Sequence, residues 1–221
     1  MERIAHRGAK REFPENTLAA FARAYERGAD AVELDVHATA DGVVMVHHDP
    51  SVRDGLLTTR QINQLTWDEV GQVDLGDGHR IPRLADVLAA TPSSATVYVE
   101  IKGGGIEELV ADVIRAGSAR CAVHSFDHDA IARMREIAPE IPRGILFENS
   151  NTNVLSAIQV TDARDVWPRF DLIDADLVAT ILAARARVIA WTVNDATEAA
   201  RLVALGVEGL CGDDVRIFPG G

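Results

Sequence analysis

The stretch Ala31-Val32-Glu33-Leu34-Asp35-Val36-His37-Ala38-Thr39-Ala40-Asp41-Gly42-Val43-Val44-Met45-Val46-His47-His48-Asp49 carries both the fold signal and the chemistry. In its first half Val32, Leu34 and Val36 alternate with Glu33 and Asp35, which is the period of a β-strand. Glu33 and Asp35 therefore share a face, with Cβ atoms roughly 6.5–7 Å apart, and the apolar residues point the other way into a core. Asp41-Gly42 marks a turn, because Asp and Gly tolerate the dihedrals that a tight turn needs. The apolar run Val43 to Val46 then returns and delivers His47-His48-Asp49 beside the two acids. No folding requirement calls for two acids and a returning histidine, so the stretch reads as a site.

On either side of it, strand and helix patterns alternate. Residues 4–7 predict a first strand that ends on His6-Arg7-Gly8. Asn16 or Thr17 can cap a helix over 18–27 that closes at Gly28. Residues 50–78 read as polar and irregular, with a short helix near 66–73, and a helix follows over 83–90. Thr-Val-Tyr-Val-Glu-Ile-Lys at 96–102 is a clear strand with Tyr98, Glu100 and Lys102 on one face. Gly103-Gly104-Gly105 breaks it, and a helix over 106–115 follows. Strands are then expected at 121–126, 143–147, 188–193 and 209–211, with a poor strand or loop at 166–170. Helices are expected at 127–138, 154–161, 175–184 and 196–205, the second of them weak.

About eight strand–helix units in one domain spanning residues 1–221 predict an α/β fold, a (β/α)8 TIM barrel. Its active site should lie at the C-terminal ends of the strands. An open doubly wound sheet is the rival, but no Gly-x-Gly-x-x-Gly fingerprint follows any strand.

The chain has 221 residues, 47% apolar and 25% charged, which suits a soluble globular domain with a full core. No apolar run approaches the roughly 20 residues of a membrane span. The N-terminus enters a strand at once, leaving no room for a signal peptide, so a cytoplasmic location is expected. Cys121 and Cys211 sit in short apolar runs and read as reduced, buried thiols. A net charge of −12 disfavours nucleic-acid partners, which need basic patches. It leaves room for a small anionic substrate, because a bound cation can invert local charge.

Barrel topology brings His6, Arg7, Glu33, Asp35, Glu100 and Lys102 together from neighbouring strand ends, with His48 arriving on the excursion after the second strand. Glu33, Asp35 and Glu100 form an oxygen-donor set for a hard divalent cation, Mg2+ or Ca2+. Ion pairing with Arg7 and Lys102 is the simpler reading, but three acids against two bases leave a negative excess. His6 and His48 are the candidate acid–base pair, since histidine titrates near neutral pH. His47 has the opposite strand parity; it and His37, His79, His124 and His128 are read as ordinary polar residues. Arg7 and Lys102 suit a phosphate, the one as a planar fork and the other as a point charge.

The chain resembles the glycerophosphodiester phosphodiesterase family. The matching residues are His6-Arg7-Gly8, Pro14-Glu15-Asn16-Thr17, Glu33-Leu34-Asp35-Val36, Thr39-x-Asp41-Gly42, His48-Asp49, Ile81-Pro82-x-Leu84, Val99-Glu100-Ile101-Lys102, Ser125-Phe126 and Trp191-Thr192-Val193-Asn194. They run in family order over nearly the whole chain. The resemblance implies a (β/α)8 barrel that hydrolyses glycerophosphodiesters to glycerol 3-phosphate and an alcohol. It implies a divalent ion on Glu33, Asp35 and Glu100, His6 and His48 as acid and base, and Arg7 and Lys102 near the phosphate. It also implies that Trp191 lines the pocket beside the glycerol, although core packing accounts for a tryptophan there almost as well. Glu15 and Asn16 either support the site or start the helix, and the second reading is preferred.

The closing motif departs from the family's Gly-Val-Asp-Gly-Ile-Ile-Thr-Asp pattern, which a proline follows. Here it is Gly206-Val207-Glu208-Gly209-Leu210-Cys211-Gly212-Asp213-Asp214, without the threonine and the proline, so a differently shaped eighth strand end is expected. The excursion between Asp49 and Glu100 is compact for the family, and residues 148–170 match least. One expected route is attack by the neighbouring glycerol hydroxyl, giving a cyclic phosphate that water opens; direct attack by water is the other. Two further classes compete: a lysophospholipase D acting on lipid phosphodiesters, and a phosphodiester-binding barrel without catalysis.

Overall fold

The computed structural model describes residues 1–53 and 58–219. β1 (Glu2–His6) leads into α1 (Leu18–Glu26), and β2 (Ala31–Ala38) then pairs antiparallel with the short β3 (Val44–Val46). A two-stranded hairpin, β4 (Ser51–Arg53) and β5 (Thr59–Gln61), is followed by α2 (Trp67–Val70) and α3 (Leu84–Ala90). From there strand and helix alternate strictly: β6 (Thr96–Ile101), α4 (Glu107–Ala116), β7 (Arg120–Ser125), α5 (His128–Ile137), β8 (Arg143–Phe147) and α6 (Val154–Thr161). The series ends with β9 (Asp165–Pro168), α7 (Ala175–Ala183), β10 (Arg187–Ala190), α8 (Ala196–Ala204) and β11 (Gly209–Gly212).

β1, β2 and β6 to β11 pair in parallel, and β11 pairs back to β1, so these strands close a ring. This is the (β/α)8 barrel, and closure excludes the open doubly wound sheet. The irregular segment expected at 50–78 contains the β4–β5 hairpin and α2; its residues 54–57 lie outside the described residues. The doubtful stretch at 166–170 is strand β9, fully buried despite carrying Asp165 and Pro168.

Strand alternation splits the core into two. Val32, Leu34, Val36, Val97, Val99 and Val123 face outward and pack under the helices. Ile4, Tyr98, Ala122, Leu146, Trp167, Ile189 and Cys211 fill the barrel interior. Cys211 is buried as expected, Cys121 only partly, and neither is in a disulfide.

Thr17, not Asn16, caps α1: its hydroxyl accepts from the Ala20 amide. Among the described residues no helix is long and apolar enough to cross a membrane.

Candidate active site

Register explains why the acids meet. On β2, β6 and β7, Asp35 lies opposite Glu100 and Glu100 opposite His124, one row across three neighbouring strands. Glu33 pairs in the same way with His6 on β1. Asp35, Glu100 and His124 stand two residues along their strands beyond Glu33, Tyr98 and Ala122, which share the row below. His6, Arg7, Glu33, His48, Glu100, Lys102 and Trp191 line one cavity of about 340 Å³, together with His124, Phe126, Glu148, Thr192 and Cys211.

Arg7 reaches this cavity because the chain turns sharply after β1. Arg7 itself adopts φ 59° and Gly8 φ 81°. A Cβ on Gly8 would stand 2.7 Å from the Ala20 carbonyl carbon, so only glycine allows α1 to pack this close to the strand end.

Asp35 is completely buried among bases and an amide. Asn16 Nδ2 donates to its Oδ2 at 2.9 Å, Arg7 Nε lies 3.1 Å from Oδ2, and Lys102 Nζ lies 3.7 Å from Oδ1. Burial pushes its pKa up, but Arg7, the Asn16 hydrogen bond and Lys102 outweigh it and hold the carboxyl below its ordinary value. Glu33 and Glu100 behave differently. Burial, with Asp35 beside them, pushes both carboxyls up to about 7. Lys102 lies 3.3 Å from Glu100 but does not offset this.

Several buried atoms of this cluster have no hydrogen-bond partner: Glu33 Oε2, Asp35 Oδ1 and both ring nitrogens of His124. A buried polar atom left unpaired costs about 1–3 kcal/mol, so several at one spot need a compensating ligand. A divalent cation fits: the donor atoms of Glu33, Glu100 and His124 lie within 4.8 Å of one another, close enough to share one ion. Acid-rich oxygen donors suit Mg2+ or Ca2+.

The two candidate acid–base histidines are each backed by a carboxylate. His6 Nδ1 is 3.1 Å from Asp213 Oδ1, and its Nε2 lies 4.0 Å from Glu33 Oε2. Lys10 Nζ is 2.8 Å from the same Asp213 oxygen and 3.1 Å from His6 Nδ1. Asn194 fixes Asp213 by donating Nδ2 to Oδ2 and accepting from the Asp213 amide. Burial works against ionised Asp213, yet the hydrogen bonds from His6 and Lys10 hold its carboxyl far below the ordinary range. His48 Nδ1 is 2.9 Å from Asp49 Oδ1, at the more exposed side of the cavity.

No local pattern around Asp213 marks it as a partner of His6. Its signal was the Asp that closes the family motif, two residues after the buried Cys211. At Gly212, where the family pattern has threonine, a Cβ would collide with the Val193 carbonyl, so this strand end leaves no room for a side chain. Asn16 corrects the preferred helix-start reading, since it is 1% exposed and bonds Asp35. Glu15 pairs with Arg7 at 2.9 Å. His124, set aside as an ordinary polar residue, is 1% exposed in the cavity wall, with Nε2 3.6 Å from Glu33 Oε1. His37 is the ordinary residue expected, bonded to the His48 carbonyl at 3.1 Å.

Trp191 follows β10, packs against the barrel-interior cluster and lines the cavity. Its Nε1 donates to the Trp167 carbonyl at 2.9 Å, and its ring meets Phe126 edge-on at 5.3 Å on the cavity rim.

Fold and site together define a (β/α)8-barrel protein with a buried acid cluster and a carboxylate-backed histidine pair at the strand C-termini. The profile of the Glycerophosphoryl diester phosphodiesterase family matches residues 6–217, and the chain belongs to that family. A glycerophosphodiester phosphodiesterase of Caldanaerobacter subterraneus subsp. tengcongensis is 31% identical over 96% of this chain and 93% of its own. One from Bacillus altitudinis is 28% identical over 95% and 93%. Among solved structures, an Oleispira antarctica phosphodiesterase in complex with the product sn-glycerol-3-phosphate superposes with a TM-score of 0.89 at 25% identity, covering 98% of this chain and 95% of that one.

Proposed function

We propose that this protein hydrolyses glycerophosphodiesters to glycerol 3-phosphate and an alcohol with the aid of one divalent cation, Mg2+ or Ca2+. The observation that carries the proposal is that His6 and His48, each with Nδ1 against a carboxylate, line the same cavity as the buried acids Glu33 and Glu100, with buried Asp35 level with Glu100 on the neighbouring strand. Glu33, Asp35 and Glu100 would hold the cation. When bound, it would offset charge on the phosphate and lower the pKa of a hydroxyl beside it.

The rest is work for the chain's own groups. With Nδ1–H given to Asp213, His6 presents Nε2 as a lone pair that can take a proton. With Nδ1–H given to Asp49, His48 does the same from the other loop. For the reaction one histidine is in this neutral form and takes the proton of the attacking oxygen, while the other starts as the imidazolium, protonated at Nε2 as well, and delivers that proton to the leaving alcohol. Arg7 and Lys102 reach the cavity and can bind phosphate oxygens, and Trp191 with Phe126 offers the glycerol an apolar wall. The glycerol hydroxyl is the preferred attacking oxygen, giving a cyclic phosphate that water opens with the histidine roles reversed. Equal turnover of an analogue lacking the 2-hydroxyl would eliminate that route in favour of direct attack by water.

A cytoplasmic location belongs to the same reading, supported by two cysteines outside any disulfide. The test is release of glycerol 3-phosphate from a panel of glycerophosphodiesters, with chelator, Mg2+ and Ca2+ arms. Cation-dependent release supports the proposal and ranks the head groups. No release from folded protein in any arm would sink it, and release from lysophospholipids instead would favour the lipid hydrolase.

A further inference from the structure

His124 stands apart among the buried polar groups of the barrel. It projects from β7 into the cavity wall at 1% exposure. Its ring is held by aromatic packing, with Trp167 edge-on at 4.3 Å and Tyr98 stacked at 6.3 Å. Neither ring nitrogen has a hydrogen-bond partner. A histidine kept only for packing would bury an N–H and a lone pair without compensation, and such groups are rare in native interiors. Aromatic clamping fixes the ring plane, and Nε2 faces Glu33 Oε1 at 3.6 Å. Glu33 also has a buried oxygen without a partner, Oε2. Two carboxylates and an imidazole whose donor atoms lie within 4.8 Å of one another can share one ion.

We infer that His124 is a nitrogen ligand of the cation site, added to the acids, and that it turns the preference of the site from Mg2+ and Ca2+ towards Co2+, Zn2+ and other borderline metals. The inference deepens the cation-dependent reading above and rests on it. Oxygen-only sets suit Mg2+ and Ca2+, whereas an imidazole adds little for these hard ions, is accepted by Mn2+ and adds much for Co2+ or Zn2+. Among the described residues His6 is the rival imidazole, with Nε2 at 4.0 Å from Glu33 and Nδ1 against Asp213, and the variants below separate it from His124.

The probe is Mn2+ itself, loaded on the full chain after removal of metal by chelator. Electron spin-echo spectroscopy of the bound Mn2+ reads out a directly ligated imidazole nitrogen without reference to turnover. The expected result is a nitrogen modulation in the unmodified protein and in His6→Gln, lost in His124→Gln. In the same variant the Co2+-over-Mg2+ affinity ratio should fall about tenfold or more, since only the Co2+ complex loses a favoured donor. If His124→Gln does not fold, the signal in a His6→Gln/His48→Gln double variant assigns the nitrogen among the cavity histidines. Stoichiometric Mn2+ without nitrogen modulation, or a modulation that survives His124→Gln, overturns the inference; with glycerol 3-phosphate release intact, it leaves the hydrolase reading standing. Failure of any divalent ion to bind overturns both.

Discussion

The two ends of the barrel interior both hold charged clusters, and they are built on opposite principles. At the N-terminal end Glu2 Oε2 accepts from the Tyr98 hydroxyl at 2.8 Å and from Arg187 Nη2 at 2.7 Å. Asp165, fully buried, is met by Arg164 Nε at 3.0 Å and by Arg187 Nη1 at 3.4 Å. None of these side chains leaves a buried polar atom unpartnered. At the C-terminal end Glu33, Asp35 and His124 all do. Charges at the first end neutralise one another and close the barrel floor. Charges at the second are short of positive partners, and two carboxyls there are held up at about 7. A folded chain tolerates such a deficit where a ligand relieves it, so the unsatisfied end is the functional one.

The largest effect expected from breaking this asymmetry is at the catalytic end. His6→Ala should lower kcat/KM for glycerophosphodiester hydrolysis by about 10²–10⁴-fold, the range of a lost acid–base group. The thermal midpoint should be nearly unchanged. A variant within tenfold of the parent would remove His6 from the proton transfers. Asp213→Asn is the next step down. It keeps the shape but takes the charge that orients His6 and anchors Lys10, and a fall in kcat of about 10–100-fold is expected, with a smaller change in KM. Steady-state kinetics against pH would check it, and an unaltered profile would leave Asp213 with a purely structural task.

At the floor the expectation is reversed. Asp165→Asn leaves Arg164 and Arg187 without their shared buried partner. Both arginines are partly exposed, so the loss should be about 2 kcal/mol rather than the larger cost of a fully buried broken pair. Denaturant unfolding should show it as a lower midpoint, while kcat/KM stays within about twofold. A large activity loss with unchanged stability would dissolve the contrast between the two ends.

The smallest expected effect is one of pH. Glu33 and Glu100 titrate near 7 in the folded protein against 4.5 for the free side chain. Between those values the folded state holds protons that the unfolded state has lost. Stability of the metal-free protein therefore falls as pH rises from about 4.5 to 7, and it is regained on acidification. A divalent cation competes with those protons, so its affinity should drop about tenfold or more per pH unit below 7. Thermal shift with and without Mg2+ or Ca2+ at pH 5.5 and 8 tests both signs; a larger metal-induced shift at pH 5.5 would contradict the ordering.

Much of this was legible in the sequence because it lies in local pattern. The alternation of Val32, Leu34 and Val36 with Glu33 and Asp35 is a property of consecutive residues, and so is the break at Gly103-Gly104-Gly105. β9 was harder, since Asp165, Trp167 and Pro168 give no strand period; pairing with β8 and β10 on either side makes it one. α2 is four residues long, and its Thr66–Glu69 capping box is a stronger signal than its apolar pattern.

The primary sequence thus determined the barrel, through the repeated strand–helix period, and the main acids and histidines of the site, through their positions at strand ends. Only the tertiary structure decided which polar residues stand together. Asp213 reaches His6 across 207 positions of chain because β11 closes onto β1. His124 joins Glu100 because parallel register sets it level with Glu100 and Asp35, and its Nε2 then comes to 3.6 Å from Glu33 Oε1. Asn16 turns from a helix cap into a partner of Asp35 because Gly8 lets α1 sit against the strand end. Sequence period records which face a residue occupies, whereas register and closure, which set its neighbours on that face, exist only once the strands have paired.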